Sequence, residues 1–145
     1  MGWYMEDLGK NIICTSMSIR RFMDQIADSY NLKGSQARII KYIAKNNNVT
    51  ASNIENAFNM KKSTVSDHLN SLENLGYIVR IVDQNDSRKK IVQLTSKGEE
   101  LDRNIKNKFM QNERYLSSLF TKEELDVLND ALIKVKKKLK EEKNV

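Results

Sequence analysis

A mainly α-helical α+β chain with one inserted β-hairpin is what three features of this sequence predict. There is no Pro and there are only five Gly in 145 residues, which leaves few forced breaks in long helices. Apolar side chains recur at helical spacing over most of the length. One stretch departs from that period: from Tyr77 to Leu94, two β-branched runs flank the polar segment Asp83-Gln84-Asn85-Asp86-Ser87-Arg88-Lys89-Lys90.

In order, the first helix is expected from about Glu6 to Ser29, with Leu8, Ile12, Met17, Met23 and Ile26 among its apolar positions. Asn31 and Gly34 punctuate it. A second helix, about Ser35 to Lys45, presents Ile39, Ile40, Ile43 and Ala44. Asn46-Asn47-Asn48 reads as a loop. Thr50 is a good N-cap for a short third helix carrying Ile54, Ala57 and Phe58. Asn59 tolerates the left-handed conformation of a tight turn. In the fourth helix Val65, Leu69, Leu72 and Leu75 fall at i, i+4, i+7 and i+10, one buried stripe, and Gly76 is the stop. Tyr77 to Val82 and Ile91 to Leu94 then form a hairpin with a long tip.

Two more helices close the chain. Ser96 with Glu99, and Thr121 with Glu124, have capping-box spacing. In the last helix Leu125, Leu128, Leu132, Val135 and Leu139 are spaced 3, 4, 3 and 4, a heptad seam. A seam needs a facing helix, and a chain this short can supply one only from its own first helix or from a second copy. A homodimer is the expectation.

Composition sets the limits. Hydrophobic residues make up 39% and charged residues 30%, enough apolar content to fold, and the length fits one domain or one compact domain plus a pairing element. No apolar run approaches the roughly 20 residues of a membrane span, and the start lacks the basic and apolar regions of a secretory signal, so a cytoplasmic location with no membrane partner is expected. The single Cys excludes an internal disulfide. The net charge of +6 is a weak guide to partners. Residues 49–98 hold seven basic and five acidic side chains, whereas residues 134–145 hold six and two.

Local geometry is the better guide. The third and fourth helices, joined through Asn59, fit a helix-turn-helix, whose second helix enters the DNA major groove with its N-terminal half. Lys61, Lys62, Ser63, Thr64, Ser66 and Asp67 occupy that half, and Asn70 lies on the same polar side. The helix N-terminus attracts phosphate through its free N–H groups. Ser and Thr position more than they specify, while Asp67 could accept from a cytosine amine or fix a neighbouring Lys or Ser. A solvated amphipathic helix would show the same side chains, so the hairpin matters. At its tip the carboxylate of Asp86 can hold the Arg88 guanidinium in one orientation, and a narrow minor groove attracts such an Arg. Lys89 and Lys90 would sit near phosphates. The tip alone also fits a solvated turn with an exposed ion pair worth roughly 0–1 kcal/mol. Helix and wing together, in this order, predict a winged helix-turn-helix with double-stranded DNA as partner.

Several motifs resemble the MarR (multiple antibiotic resistance regulator) family of winged-helix transcription factors. They are Leu32-Lys33-Gly34-Ser35-Gln36 at the second helix and Ser63-Thr64-Val65-Ser66 in the fourth. Leu69-Asn70-Ser71-Leu72-Glu73-Asn74-Leu75-Gly76-Tyr77-Ile78 matches the helix-to-wing junction, Asp83 through Arg88 the wing, and Leu94-Thr95-Ser96-Lys97-Gly98 the exit from it. The resemblance covers essentially the whole chain. It implies an obligate homodimer paired through its terminal helices, a pseudo-palindromic operator that is usually repressed, and a small effector, often phenolic, in a cleft between the lobes. It divides the chain into a dimerisation helix (1–34), a DNA-binding lobe (35–98) and C-terminal dimerisation helices (99–145). It also adds Ser35 and Gln36 to the candidate DNA contacts. One departure is at the tip, where many members carry an extra basic residue and this chain has Gln84 and Asn85.

Cys14 reads as a small residue of the first helix, buried in the dimer. Redox sensing, which some relatives perform through a Cys near this end, is the second reading, and it needs a stabilised, accessible thiolate. His68, the only His, lies nearer the Leu72 stripe than the groove face, which suggests packing or a hydrogen bond toward the wing. Trp3, Tyr4 and Met5 would cover a partner subunit or form a loose end. The six Met fit ordinary core packing better than an adaptable ligand cleft. No Gly-rich phosphate loop, no Ser/His/Asp arrangement, no metal-ligand cluster and no paired carboxylates are found, so neither an enzyme nor a cofactor is expected. The rival class is a winged-helix protein-interaction module without specific DNA binding.

Overall fold

The structure is a computed structural model that describes residues 7–142. The readings of Trp3, Tyr4 and Met5 lie outside the described residues. The element order is α1 (Leu8–Asp28), α2 (Gly34–Lys45), α3 (Ala51–Phe58), α4 (Lys62–Asn74), β1 (Ile78–Val82), β2 (Lys90–Leu94), α5 (Ser96–Ser118) and α6 (Lys122–Glu142). Two compact units are formed, one ending at Lys108 and the next beginning at Phe109.

The core of the first unit is built where three helices meet the hairpin. Ile39, Ile40 and Ile43 of α2, Ile54 of α3, and Val65, Leu69 and Leu72 of α4 are buried together with Ile78 of β1, Val92 of β2 and Leu101 of α5. Each such side chain contributes about 1.5–3 kcal/mol on burial. The hairpin is antiparallel, with Ile78 opposite Leu94, Arg80 opposite Val92 and Val82 opposite Lys90. Val49 forms a bridge on the other side of Val92, so the loop after α2 is tied to the wing.

The turns follow local chemistry. Thr50 caps α3 reciprocally with Asn53: Thr50 Oγ1 accepts from the Asn53 N–H at 3.3 Å, and Asn53 Oδ1 accepts from the Thr50 N–H at 2.9 Å. Asn59 is left-handed at φ 51°, and Gly76 at φ 82°. Two expectations are corrected. The α4 stripe ends at Leu72; Leu75 is the C-cap residue and stays 36% exposed, because the chain leaves the helix there before it can turn inward. The cap of α5 is Thr95, not Ser96. Thr95 Oγ1 accepts from the Gly98 N–H at 3.1 Å and donates to the Gly76 carbonyl at 2.6 Å. That second bond reaches back across the hairpin, which Ser96 could not do from inside the helix.

In the second unit the Thr121–Glu124 box forms, with both bonds at 3.2 Å. No residue of α6 is buried. Leu128, Leu132 and Leu139 are 42%, 41% and 57% exposed, while Leu125 and Val135 are half-buried. Among the described residues no helix is long and apolar enough to cross a membrane.

Candidate nucleic-acid interface

The α3–α4 turn is short because Asn59 takes the left-handed conformation and the Met60 N–H returns to the Glu55 carbonyl at 3.0 Å. Lys61 is then extended, at φ −67° and ψ 148°, and α4 begins at Lys62. No side chain caps this helix start and its first turn carries no acid. Uncapped N–H groups flanked by Lys61 and Lys62 form a phosphate-attracting end. Lys61, Lys62, Ser63, Thr64, Ser66, Asp67 and Asn70 are all exposed. Val65, Leu69 and Leu72 on the opposite side anchor the helix in the core.

The two α2 candidates are placed differently. Ser35 is half-buried, with Oγ 3.2 Å from Nε2 of His68. Gln36 is withdrawn from the set of contacts. It is only 6% exposed, and its Oε1 accepts from the Lys33 N–H at 2.8 Å. It closes the start of α2 rather than facing outward. His68 is also reassigned, since its hydrogen bond runs to α2 and not to the wing. Burial holds the His68 imidazole below its ordinary pKa; nearby Lys33 acts in the same direction and Asp67 opposes it.

The hairpin tip is a series of tight turns. The Asp83 N–H donates to the Lys89 carbonyl at 2.9 Å, and the Lys89 N–H to the Asp86 carbonyl at 3.0 Å. Asp83 Oδ1 accepts from the Asn85 N–H, also at 3.0 Å. The expected Asp86–Arg88 ion pair is not formed. Asp86 Oδ1 instead accepts from the backbone N–H of Arg88 at 3.0 Å. An Asx turn of this kind shapes the loop and leaves the guanidinium exposed. Lys89 and Lys90 are exposed as well.

Sequence reasoning missed Arg80. It forms an ion pair, Nε to Glu73 Oε2 at 2.8 Å, and its Nη2 donates to Asn70 Oδ1 at 2.6 Å. The Arg80 hydrogen bond holds the Glu73 carboxyl below its ordinary pKa. Strand alternation carried a signal: Ile78, Arg80 and Val82 share a face, and Ile78 is buried against α4. Lys97 was missed too. Its Nζ donates to the Leu75 carbonyl at 2.7 Å and lies 4.8 Å from the centre of the Tyr77 ring, closing the end of α4.

An open cleft of about 670 Å³ lies beside this unit's wing, with Ile43, Asn48, Val92, Gln93 and Asp102 in its lining. Burial pushes the Asp102 carboxyl up, against the pull of Lys106, Lys41, Lys45 and Arg103. In the single chain Cys14 is exposed on α1, as are Leu8, Ile13 and Met17 of that helix.

A helix pair with a free-ended, polar second helix, followed by a hairpin with exposed cations, is the winged helix-turn-helix of transcriptional regulators. A family model described as the MarR family matches residues 30–89. The transcriptional regulator PecS of Dickeya dadantii is 29% identical over 127 residues, 86% of this chain and 76% of PecS. The transcription regulator MarR of Oenococcus oeni is 30% identical, with a TM-score of 0.64 over 90% of this chain and 99% of that one. MepR, a transcription regulator of the Staphylococcus aureus multidrug efflux pump MepA, is 25% identical, with a TM-score of 0.83 over 91% of this chain and 98% of its own. MepR in its DNA complex gives a TM-score of 0.71 over 91% and 96%. The chain belongs to the MarR family.

Proposed function

We propose that this protein is a sequence-specific DNA-binding transcriptional regulator, working in the cytoplasm as a homodimer that represses from a pseudo-palindromic operator. One observation carries the reading: the exposed, uncapped start of α4 and the unpaired Arg88 guanidinium belong to one buried core, through Val65, Leu69 and Ile78. A rigid unit with a polar helix and a cationic tip suits a groove and its flanking phosphates. That MepR has been crystallised with DNA supports the same partner.

In this reading Lys61, Lys62, Lys89 and Lys90 contact phosphates. Ser63, Thr64, Ser66, Asp67 and Asn70 face base edges, with Ser35 at their margin. Arg88 enters the minor groove. Residues 35–98 are the DNA-binding lobe, and residues 1–34 and 99–145 supply the pairing helices. The uncovered leucines of α6 and the exposed apolar side chains of α1 support pairing with a second copy. A phenolic-type effector would bind in a cleft, and the one beside Asp102 in the first unit is the candidate. It acts only if it binds the DNA-competent and incompetent states with different affinity.

The test is selection of DNA from a randomised library by the purified full chain, followed by footprinting. Two protected half-sites about 10 bp apart, or a near multiple, are expected. Affinity should fall steeply with salt as counterions are released. No selected sequence, or binding indifferent to salt, would leave the protein-interaction module as the better reading.

A further inference from the structure

We propose that Arg80 is a positioning residue that locks the wing to the recognition helix and leaves Asn70 to read DNA as a hydrogen-bond donor only. The proposal rests on the DNA-binding reading above and goes beyond it by assigning a base preference.

Arg80 sits mid-strand in β1, opposite the buried Val92. An aliphatic side chain would satisfy that inward-facing place. The Arg instead reaches α4, where Asn70 and Glu73 are three residues apart and so share a helix face. Its planar fork spans both: Nε lies 2.8 Å from Glu73 Oε2, and Nη2 lies 3.4 Å from Glu73 Oε1 and 2.6 Å from Asn70 Oδ1. A guanidinium has five donors and no acceptor, so the Asn70 amide orientation is determined: its oxygen faces Arg80 and its NH2 faces away.

That orientation has a consequence for reading. Asn recognises adenine with both edges of its amide, the oxygen accepting from N6 and the NH2 donating to N7. Here the oxygen accepts from Arg80 at 2.6 Å and is held on that side, which competes with the approach adenine needs to meet both amide edges at once. The NH2 remains, and it matches acceptors: guanine N7 or O6, or thymine O4. Nε and Nη2 of Arg80 are engaged by α4, so no phosphate contact is assigned to it.

The experiment compares library selections by the full chain, Asn70→Ala and Arg80→Ala. Asn70 is exposed, so its replacement leaves the fold available for measurement. The half-site position whose preference Asn70→Ala erases should be guanine or thymine in the natural chain's selected sites. In Arg80→Ala that same position should move toward adenine by about fivefold or more, with the salt slope unchanged. An adenine there in the natural chain, or no position altered by Asn70→Ala, overturns the proposal. So does a salt slope reduced by about 0.9 in Arg80→Ala, which marks a lost phosphate contact. If Arg80→Ala fails to fold, the natural chain and Asn70→Ala alone decide the matter. A natural chain that selects no sequence defeats the DNA-binding reading itself, a different result from selecting adenine.

Discussion

Replacing Gly98 by Ala should destabilise the protein by about 1–3 kcal/mol, although Ala favours a helix over Gly by up to ~1 kcal/mol. Gly98 is buried in the first turn of α5. A Cβ there would fall on the Tyr77 carbonyl oxygen, and would lie 3.1 Å from the Tyr77 carbonyl carbon and 3.4 Å from Leu94 Cβ. The carbonyl cannot swing aside freely, since it accepts from the Thr95 N–H at 3.0 Å. Losing that bond costs about 0.5–1.5 kcal/mol, and the overpacked backbone about 1–3 kcal/mol more, before the helical gain is subtracted. Gly34→Ala is the internal control. Its Cβ meets Asp24 Oδ1, the end of a flexible exposed side chain that can rotate away, so a change within about 0.5 kcal/mol is expected. Urea unfolding of both variants at one fixed protein concentration measures the difference, since pairing makes apparent stability concentration-dependent. A Gly98→Ala protein as stable as the natural chain would refute the argument from close approach.

Three further outcomes are expected. Arg88→Ala should lower the slope of log affinity against log salt by about 0.9 without shifting the melting temperature, because no side-chain partner holds the guanidinium; a melting collapse would make Arg88 structural. Leu132→Asp should shift the chain from dimer toward monomer in sedimentation equilibrium, since a carboxylate at a/d spacing would be buried unpaired in the seam; an unchanged dimer would place the interface elsewhere. His68 has a folded pKa below its ordinary 6.5, so the unfolded chain binds the proton more readily. Its contribution to stability is complete above pH 6.5 and is lost as pH falls toward the lowered value. His68→Asn should flatten that part of the stability–pH curve, and an unaltered curve would assign the acid sensitivity to other groups.

The amino-acid sequence by itself determined whatever is decided within about one helical turn. The Thr50 cap, the left-handed Asn59, the stop at Gly76 and the Thr121–Glu124 box all join residues at most five apart. The buried faces of α2 and α4 follow from side-chain period, which is also local. Tertiary structure decided which polar group meets which. Thr95 caps α5 because its hydroxyl also finds the Gly76 carbonyl 19 residues earlier. His68 turns to Ser35, 33 residues away, because the fold brings the start of α2 within hydrogen-bond reach of that side chain of α4. Asp86 serves a backbone N–H because the loop's turn geometry brings that donor closer than the guanidinium. Arg80 reaches Glu73 and Asn70 only once the hairpin has folded onto the helix. Periodicity tells a side chain which way to face. What it faces depends on the packing of elements that the local pattern does not describe.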